Sequence, residues 1–388
     1  MSGITGFIDT GKSVVEQQEI LINMNKTQIP RGPDSNGHWV CEQIGLAHTR
    51  LATTDITNGG QPLIRTFGNT EYVLVYDGIL YNMHELKRML EDAGHTFKTD
   101  CDAEVVLLSF VHWGTECLGK FNGMFAFAIW NNFKKELFLA RDRFGAKPLF
   151  YSTHDNLLIF SSELKGVLAH PVIRAEIDNE GLAEIFGLGP THTPGHGIFK
   201  GINELPAAHF LIWNDGNIIK KRYWEFITHE HTDNLITTAE RVCMLTRRAI
   251  AGQLLSDLPI CTLLSGGLDS STITAVAARK FAYDNGTRLA TYSFDYEDND
   301  KFFKGSSFQP DTDTKWVHRM VDELHTQHRY LKISNEQLIS ELENAVIARD
   351  LPGMSDIDSS MLYFCKQIKK NHTIVLSGEC ADEIGYTR

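Results

Sequence analysis

Apolar and polar positions in the first half of the chain alternate in short runs. Residues 72–76 precede Asp77-Gly78, residues 124–130 precede Asn131-Asn132, and a further run occupies 137–140. β-Branched and aromatic residues bounded by Asn, Asp and Gly predict strands joined by turns, and this texture extends to about Ile212. After Tyr81 the period changes. The stretch MHELKRMLEDAG places Leu86, Met89 and Leu90 on one helical face and stops at Gly94.

The second half is organised differently. Residues 235–255 carry Leu235, Ala239, Val242, Leu245 and Ala249 at helical spacing. Three short apolar strands are predicted at 260–264, 289–294 and 373–376, with helical stretches at 271–283 and 313–325. Alternating strands and helices predict a doubly wound parallel sheet that takes its ligands at the C-terminal strand ends. Polar and turn residues cluster at 213–232, which predicts a linker between domains at 2–212 and 233–388.

Length agrees with this division, since 388 residues suffice for two domains. Charge narrows the partners. With 37 basic and 49 acidic residues the net charge is −12, unsuited to sequence-independent binding of nucleic acid or an anionic membrane. No apolar run is long enough to span a bilayer, and the N-terminus lacks a secretory pattern. The seven cysteines are scattered without a C-x-x-C, which suits reduced thiols in the cytoplasm. His229-Glu230-His231 lacks a third metal ligand and reads as a solvated loop.

The strongest local signal is Ser265-Gly266-Gly267-Leu268-Asp269-Ser270-Ser271, between an apolar strand and a helix. Adjacent glycines let backbone N–H groups approach an anion, and the following helix N-terminus adds partial positive charge. Ser265, Ser270 and Ser271 supply hydroxyl donors. Asp269 would repel phosphate by itself, so it points to a bridging cation such as Mg²⁺. The alternative is a plain strand-to-helix turn with a capping serine. A Walker A pattern is absent. Ser377-Gly378-Glu379-Cys380-Ala381-Asp382-Glu383 forms a second acidic loop after the last strand. There Asp382 can share Mg²⁺ with Asp269, and Glu379 can manage protons when an amine attacks; an N-capped helix start is the alternative.

The SGG-x-DSS loop resembles the pyrophosphate loop of the ATP pyrophosphatases, and the second loop resembles SGEGADE of asparagine synthetases, with Cys380 in place of Gly. The first half resembles class II glutamine amidotransferases, which have an N-terminal-nucleophile (Ntn) hydrolase fold. The matching segments include Gly3-Ile4-Thr5-Gly6, Arg31-Gly32-Pro33-Asp34, Gln61-Pro62, Tyr81-Asn82, Asp102 with Glu104, residues 122–127, residues 140–145 and residues 160–165. Together the halves resemble glutamine-dependent asparagine synthetase. The implied fold is an α+β Ntn domain followed by an incomplete α/β domain, because family members continue beyond this point.

The resemblance implies ATP and Mg²⁺ as cofactors, and glutamine, aspartate and ATP as small-molecule partners. It leaves a homodimer open. Arg50 would hold the glutamine carboxylate and Asp102 its amine. Leu263, Ser265, Gly266, Gly267, Asp269, Ser270, Ser377 and Gly378 would meet the nucleotide, with Phe294 near the adenine. Asp269 and Asp382 would hold the metal, and Glu379 would assist ammonia attack.

Two positions depart from the pattern. Ser2 stands where the family exposes a nucleophilic Cys, and Asp77 stands where its Asn donates to the oxyanion beside the Gly78 N–H. A hydroxyl ionises far less than a thiol, and an ionised carboxylate has only acceptors. Impaired glutamine hydrolysis is therefore expected. Two other readings stay open: a different carboxylate substrate, as in β-lactam synthetases, or an inactive copy that only binds ligand or a partner subunit.

Overall fold

The computed structural model of the protein describes residues 1–305 and 312–381. The chain divides into two compact units, the first spanning Met1–His229 and the second starting at Glu230.

The first unit holds twelve strands: β1 (Gly3–Asp9), β2 (Ser35–Val40), β3 (Ile44–Arg50), β4 (Leu63–Phe67), β5 (Thr70–Leu80), β6 (Gly123–Asn131), β7 (Glu136–Arg141), β8 (Phe150–His154), β9 (Leu157–Ser161), β10 (Ile202–Glu204), β11 (His209–Asn214) and β12 (Asn217–Arg222). They form two six-stranded antiparallel sheets, ordered β10-β8-β9-β1-β3-β2 and β12-β11-β7-β6-β5-β4. Ile4, Ile8, Leu46, Val73, Val75, Ala128, Leu139 and Phe160 belong to one core shared by both sheets. On the outer face of the second sheet, Leu74, Tyr76, Phe127 and Phe138 pack with Leu86, Leu90, Val106 and Leu107 from the helices Met83–Asp92 and Asp102–Trp113. The helices Gln18–Lys26 and Leu164–Leu168 lie against strands of the first sheet. The result is the helix–sheet–sheet–helix layering of an Ntn hydrolase, and strands buried on both faces explain the near-continuous apolar runs.

The strand predicted at 72–76 was expected to end at Asp77-Gly78, but β5 continues through Leu80. Regular pairing with β6 carries both residues. Side chains alternate along a strand, so Asp77 shares the face of Val73 and Val75, toward the space between the sheets. It is 2% exposed. Asp-Gly carries turn chemistry in sequence, yet here it places a buried carboxylate inside a strand. β12 likewise falls inside the stretch expected as linker. All six of its residues are exposed, so an edge strand ending Lys220-Lys221-Arg222 has a loop's composition. On the helix Met83–Asp92, Leu86 and Leu90 are buried as expected, whereas Met89 is exposed.

Two buried histidines are expected to make this unit acid-sensitive. His48 on β3 contacts the Tyr76 carbonyl through Nε2 at 3.0 Å, and burial pushes its pKa down to about 4. His170 packs edge-on against Phe7 and is pushed down to about 4, again by burial. An unfolded imidazole titrates near 6.5. The folded state then refuses a proton that the unfolded state binds, so stability is full above about pH 6.5 and falls toward pH 4. Each histidine should cost up to about 3 kcal/mol across that window. Urea midpoints at pH 7 and pH 5 should differ accordingly, and His170→Asn should make the pH slope shallower by about one proton. An unchanged slope contradicts this assignment.

Among its described residues, the second unit forms a four-stranded parallel sheet of β13 (Ile260–Leu263), β14 (Ala290–Tyr296), β15 (Gln327–Ile333) and β16 (Ile374–Leu376), in the order β15-β14-β13-β16. The first strand, β13, is internal, with β14 on one side and β16 on the other. A switch point therefore lies between β13 and β16, where open α/β sheets take ligands. Three of these strands were predicted. β15 was not, because it is a largely exposed edge strand with the sequence QHRYLKI. The helix Leu235–Gly252 forms as predicted, but its periodic residues Leu235, Val242 and Leu245 are exposed; Ile250 and Leu254 join the core instead.

Candidate functional site

In the first unit, β1 and β5 bring Ser2 and Asp77 together. The Ser2 N–H donates to Asp77 Oδ1 at 3.0 Å, and its carbonyl accepts from Arg31 Nε at 2.7 Å. Ser2 Oγ accepts from the Leu51 N–H at 3.3 Å. Arg31 and Lys147 pair with Asp77 at 2.8 and 3.3 Å, while Arg31 and Lys165 pair with Glu163 at 3.1 and 2.8 Å. Burial alone would raise the pKa of Asp77. Lys147 and Arg31 outweigh it and hold the carboxyl below its ordinary range. Asp77 is therefore an anion with its oxygens committed to cations, and it offers no hydrogen to a developing oxyanion.

Ser2, Arg50, Gly78 and Asp102 line one cleft, together with Gln61, Tyr76 and Cys101. The cleft measures about 30 Å³, room for a water or two. Arg50 donates to the carbonyls of Thr54, Asp55 and Ile56 at 3.1, 2.6 and 2.9 Å. Its guanidinium is thus held by the 53–60 loop. Asp102 opens the helix Asp102–Trp113 and accepts from Tyr76 Oη and the Leu80 N–H at 2.8 and 3.1 Å. Burial raises its pKa. Glu104, two residues on, accepts from Arg65, from Thr99 Oγ1 and from the N–H groups of Lys98 and Thr99, which fixes the chain leading into Asp102.

In the second unit, the loop after β13 folds back on itself. Ser265 and Ser270 hydroxyls lie 2.9 Å apart, the Ser265 N–H donates to Ser270 Oγ at 3.2 Å, and Gly267 N-caps the helix Leu268–Asn285. Gly266 has φ +86°, and a Cβ there would stand 2.9 Å from Trp316 Cβ. The loop after β16 presses against it: a Cβ on Gly378 would stand 2.9 Å from the Ser270 backbone nitrogen and 3.1 Å from Asp269 Cβ. The two loops, far apart in sequence, approach this closely because Gly378 carries no side chain at the contact.

A cavity of about 760 Å³ opens at these loops, within the range of nucleotide-sized ligand sites. Leu263, Ser265, Gly267, Asp269, Ser270, Phe294, Ser377, Gly378 and Glu379 line it. Gly266 instead faces Trp316 and Asp313, so it shapes the loop and does not line the cavity. Phe294 stacks on Phe364 with ring centres 4.1 Å apart, which leaves one face for a ligand. Asp382 lies outside the described residues. Among those described, no cluster of three or more metal-ligating side chains occurs. Mg²⁺ commonly takes one or two carboxylates and completes its shell with water and substrate phosphates, and Asp269 at the loop is a carboxylate of that kind.

Sequence reasoning missed two groups. Asp295, Asn299, Asp313 and Tyr330 also line the large cavity, from β14, β15 and intervening polar segments without a motif. Arg31, Lys147 and Glu163 form the charge network around Asp77, and only their burial reveals it.

The first unit is therefore an Ntn-type amidotransferase fold, and the second an α/β fold with a phosphate-type loop at its switch point. Comparison with known proteins agrees. The glutamine amidotransferase domain family matches residues 1–224 and the asparagine synthase family residues 241–387. Asparagine synthetase [glutamine-hydrolyzing] 3 of Bacillus subtilis is 46% identical over 384 residues, 99% of this chain and 62% of that protein. Asparagine synthetase [glutamine-hydrolyzing] 1 of the same organism is 34% identical, over 95% of this chain and 56% of that one. A Methanocaldococcus jannaschii protein named as an asparagine synthetase is 32% identical, over 99% of this chain and 75% of its own length. This chain belongs to the asparagine synthetase family. It spans about six-tenths of the length of the two Bacillus relatives.

Proposed function

We propose that the protein activates the side-chain carboxylate of aspartate with ATP and amidates it to asparagine, with free ammonia a better nitrogen source than glutamine. The observation that carries this reading is the meeting of the 265–271 and 377–379 loops at the switch point, over a cavity of about 760 Å³. A bare carboxylate is a poor acyl donor at neutral pH, and adenylation gives it a leaving group. The carboxylate oxygen attacks the α-phosphorus, the bond to pyrophosphate breaks, and β-aspartyl-AMP forms. Ammonia then attacks the acyl carbon, AMP leaves, and Glu379 accepts a proton from the incoming nitrogen.

Ser265, Gly267 and Ser270 hold the phosphates, with Gly266 setting the turn. Leu263 and the free face of Phe294 flank the nucleotide, and Ser377 and Gly378 contact it through their backbone. Asp269 and Asp382 would hold Mg²⁺, and the bound ion would supply charge neutralisation at the phosphate oxygens. No helix among the described residues is long and apolar enough to cross a membrane, and the cysteines are free, which suits work in the cytoplasm.

In the first unit, Arg50 and Asp102 bind glutamine once the 53–60 loop releases Arg50, while Ser2 and Asp77 make its hydrolysis slow. Supplying aspartate, ATP and Mg²⁺ with either ammonium or glutamine tests both parts. Asparagine and AMP should form in equal amounts with ammonium and far more slowly with glutamine. Equal rates from the two donors overturn the glutaminase reading, and no product from either overturns the synthetase reading.

A further inference from the structure

Removal of Met1 would turn the Ser2 nitrogen from a peptide N–H into a free α-amine. In the Ntn class that amine is the base that activates the nucleophile. Here the nitrogen lies 3.0 Å from Asp77 Oδ1. We propose that Asp77 is a positioning residue that holds this amine as a fixed ammonium, which silences the base whatever nucleophile stands beside it.

The inference rests on reading the first unit as an amidotransferase, and it goes beyond the missing oxyanion donor. An opposite charge within a few ångströms favours the charged form by about 1–3 pK units, most strongly where water is excluded. The groups around the amine come from several elements. Arg31 follows the helix Gln18–Lys26, Asp77 lies on β5, Lys147 precedes β8 and Glu163 follows β9. Arg50 and Asp102 line the adjoining cleft, and the neutral His48 lies on β3. Glu163 is taken up by Arg31 and Lys165. With a neutral residue at 77, the amine would lose the anion in direct contact with it, while Arg31 and Lys147 would lose their shared partner and favour the unprotonated base. One carboxylate in direct contact thus opposes the two cations at the amine. It also acts as a neutralising partner for two buried cations, so the altered site remains a stable ion cluster.

The test uses the chain prepared to begin at Ser2, verified by intact mass. Trace acetylation with acetic anhydride is followed from pH 6 to 10, and the N-terminal peptide is quantified by mass spectrometry. The midpoint of the profile reports amine protonation, whereas limited access only scales its height. A free α-amine titrates at about 7.7–8.0. The parent midpoint should lie at least about one unit higher, and Asp77→Asn should lower it enough to speed acetylation at pH 7.5 about 10-fold or more. Should Asp77→Asn unfold because Arg31 and Lys147 lose their partner, Asp77→Asn with Lys147→Met keeps the charge balance and serves instead. Equal midpoints in parent and variant, or a lower one in the parent, overturn the proposal. Glutamate release is measured on the same samples. An ordinary amine with absent glutaminase discards the clamp and leaves the impaired-glutaminase reading. A raised midpoint with ordinary turnover keeps the ion pair but overturns both the silencing of the base and the impaired-glutaminase reading.

Discussion

Changing Ser2→Cys and Asp77→Asn together should raise glutamate release from glutamine by at least about 100-fold over the parent chain. Each change repairs a different step. Cys supplies a nucleophile of pKa about 8.5, a small part of which is thiolate at neutral pH, where a serine hydroxyl is essentially un-ionised. Asn supplies an N–H toward the position where negative charge develops, and loss of one such donor alone costs about 100- to 1000-fold. Groups that act as a unit are not additive, so each single change should recover much less than the pair. Ser2→Cys alone leaves the Asp77 anion 3.0 Å from the N-terminal nitrogen and no side-chain donor for the oxyanion. Asp77→Asn alone leaves the hydroxyl and frees Arg31 and Lys147 from a buried partner, so its melting should be recorded beside its turnover. A parent chain that already hydrolyses glutamine at the double variant's rate would contradict the assignment of both residues.

The second large effect belongs to Gly378. Gly378→Ala should lower ATP–pyrophosphate exchange by on the order of 100-fold while leaving the fold intact by circular dichroism. The added Cβ would meet the Ser270 backbone nitrogen at 2.9 Å and Asp269 Cβ at 3.1 Å. The first of these is main chain at the start of a helix, which cannot yield as a flexible side-chain tip can. The two loops must separate, and a displacement near 1 Å at a phosphate site is enough to cost about two decades in rate. Exchange at the parent level in this variant would show that the loops need not touch for the chemistry.

The history of these two sites in the sequence differs. The loop after β13 was legible because its signal is local: strand, paired glycines, serines and helix follow one another within a dozen residues. That the two loops share one strand-end site is legible from their acidic residues and from the resemblance, but the close contact at Gly378 is not, since strand order is a long-range property that no window of sequence displays. Asp77 stands out in the sequence as a departure, but its setting does not. Asp-Gly is a turn signal, and only pairing of β5 with β6 across Asp77↔Ala126 and Gly78↔Phe125 shows the strand running on. The partners Arg31, Lys147 and Glu163 could not be found by pattern, because a buried cation and a surface cation look alike in sequence. β15 and β12 were missed for a related reason. Edge strands carry charge on exposed faces, which protects them from pairing and removes the apolar run that marks an inner strand.

The most direct measurement is isotope exchange between pyrophosphate and ATP with Mg²⁺, run without acid, with aspartate, and with a panel of other carboxylic acids. Exchange that requires aspartate, needs no glutamine and disappears in Asp269→Asn is the expected result. Exchange that ignores aspartate, or that another acid supports better, would contradict the account.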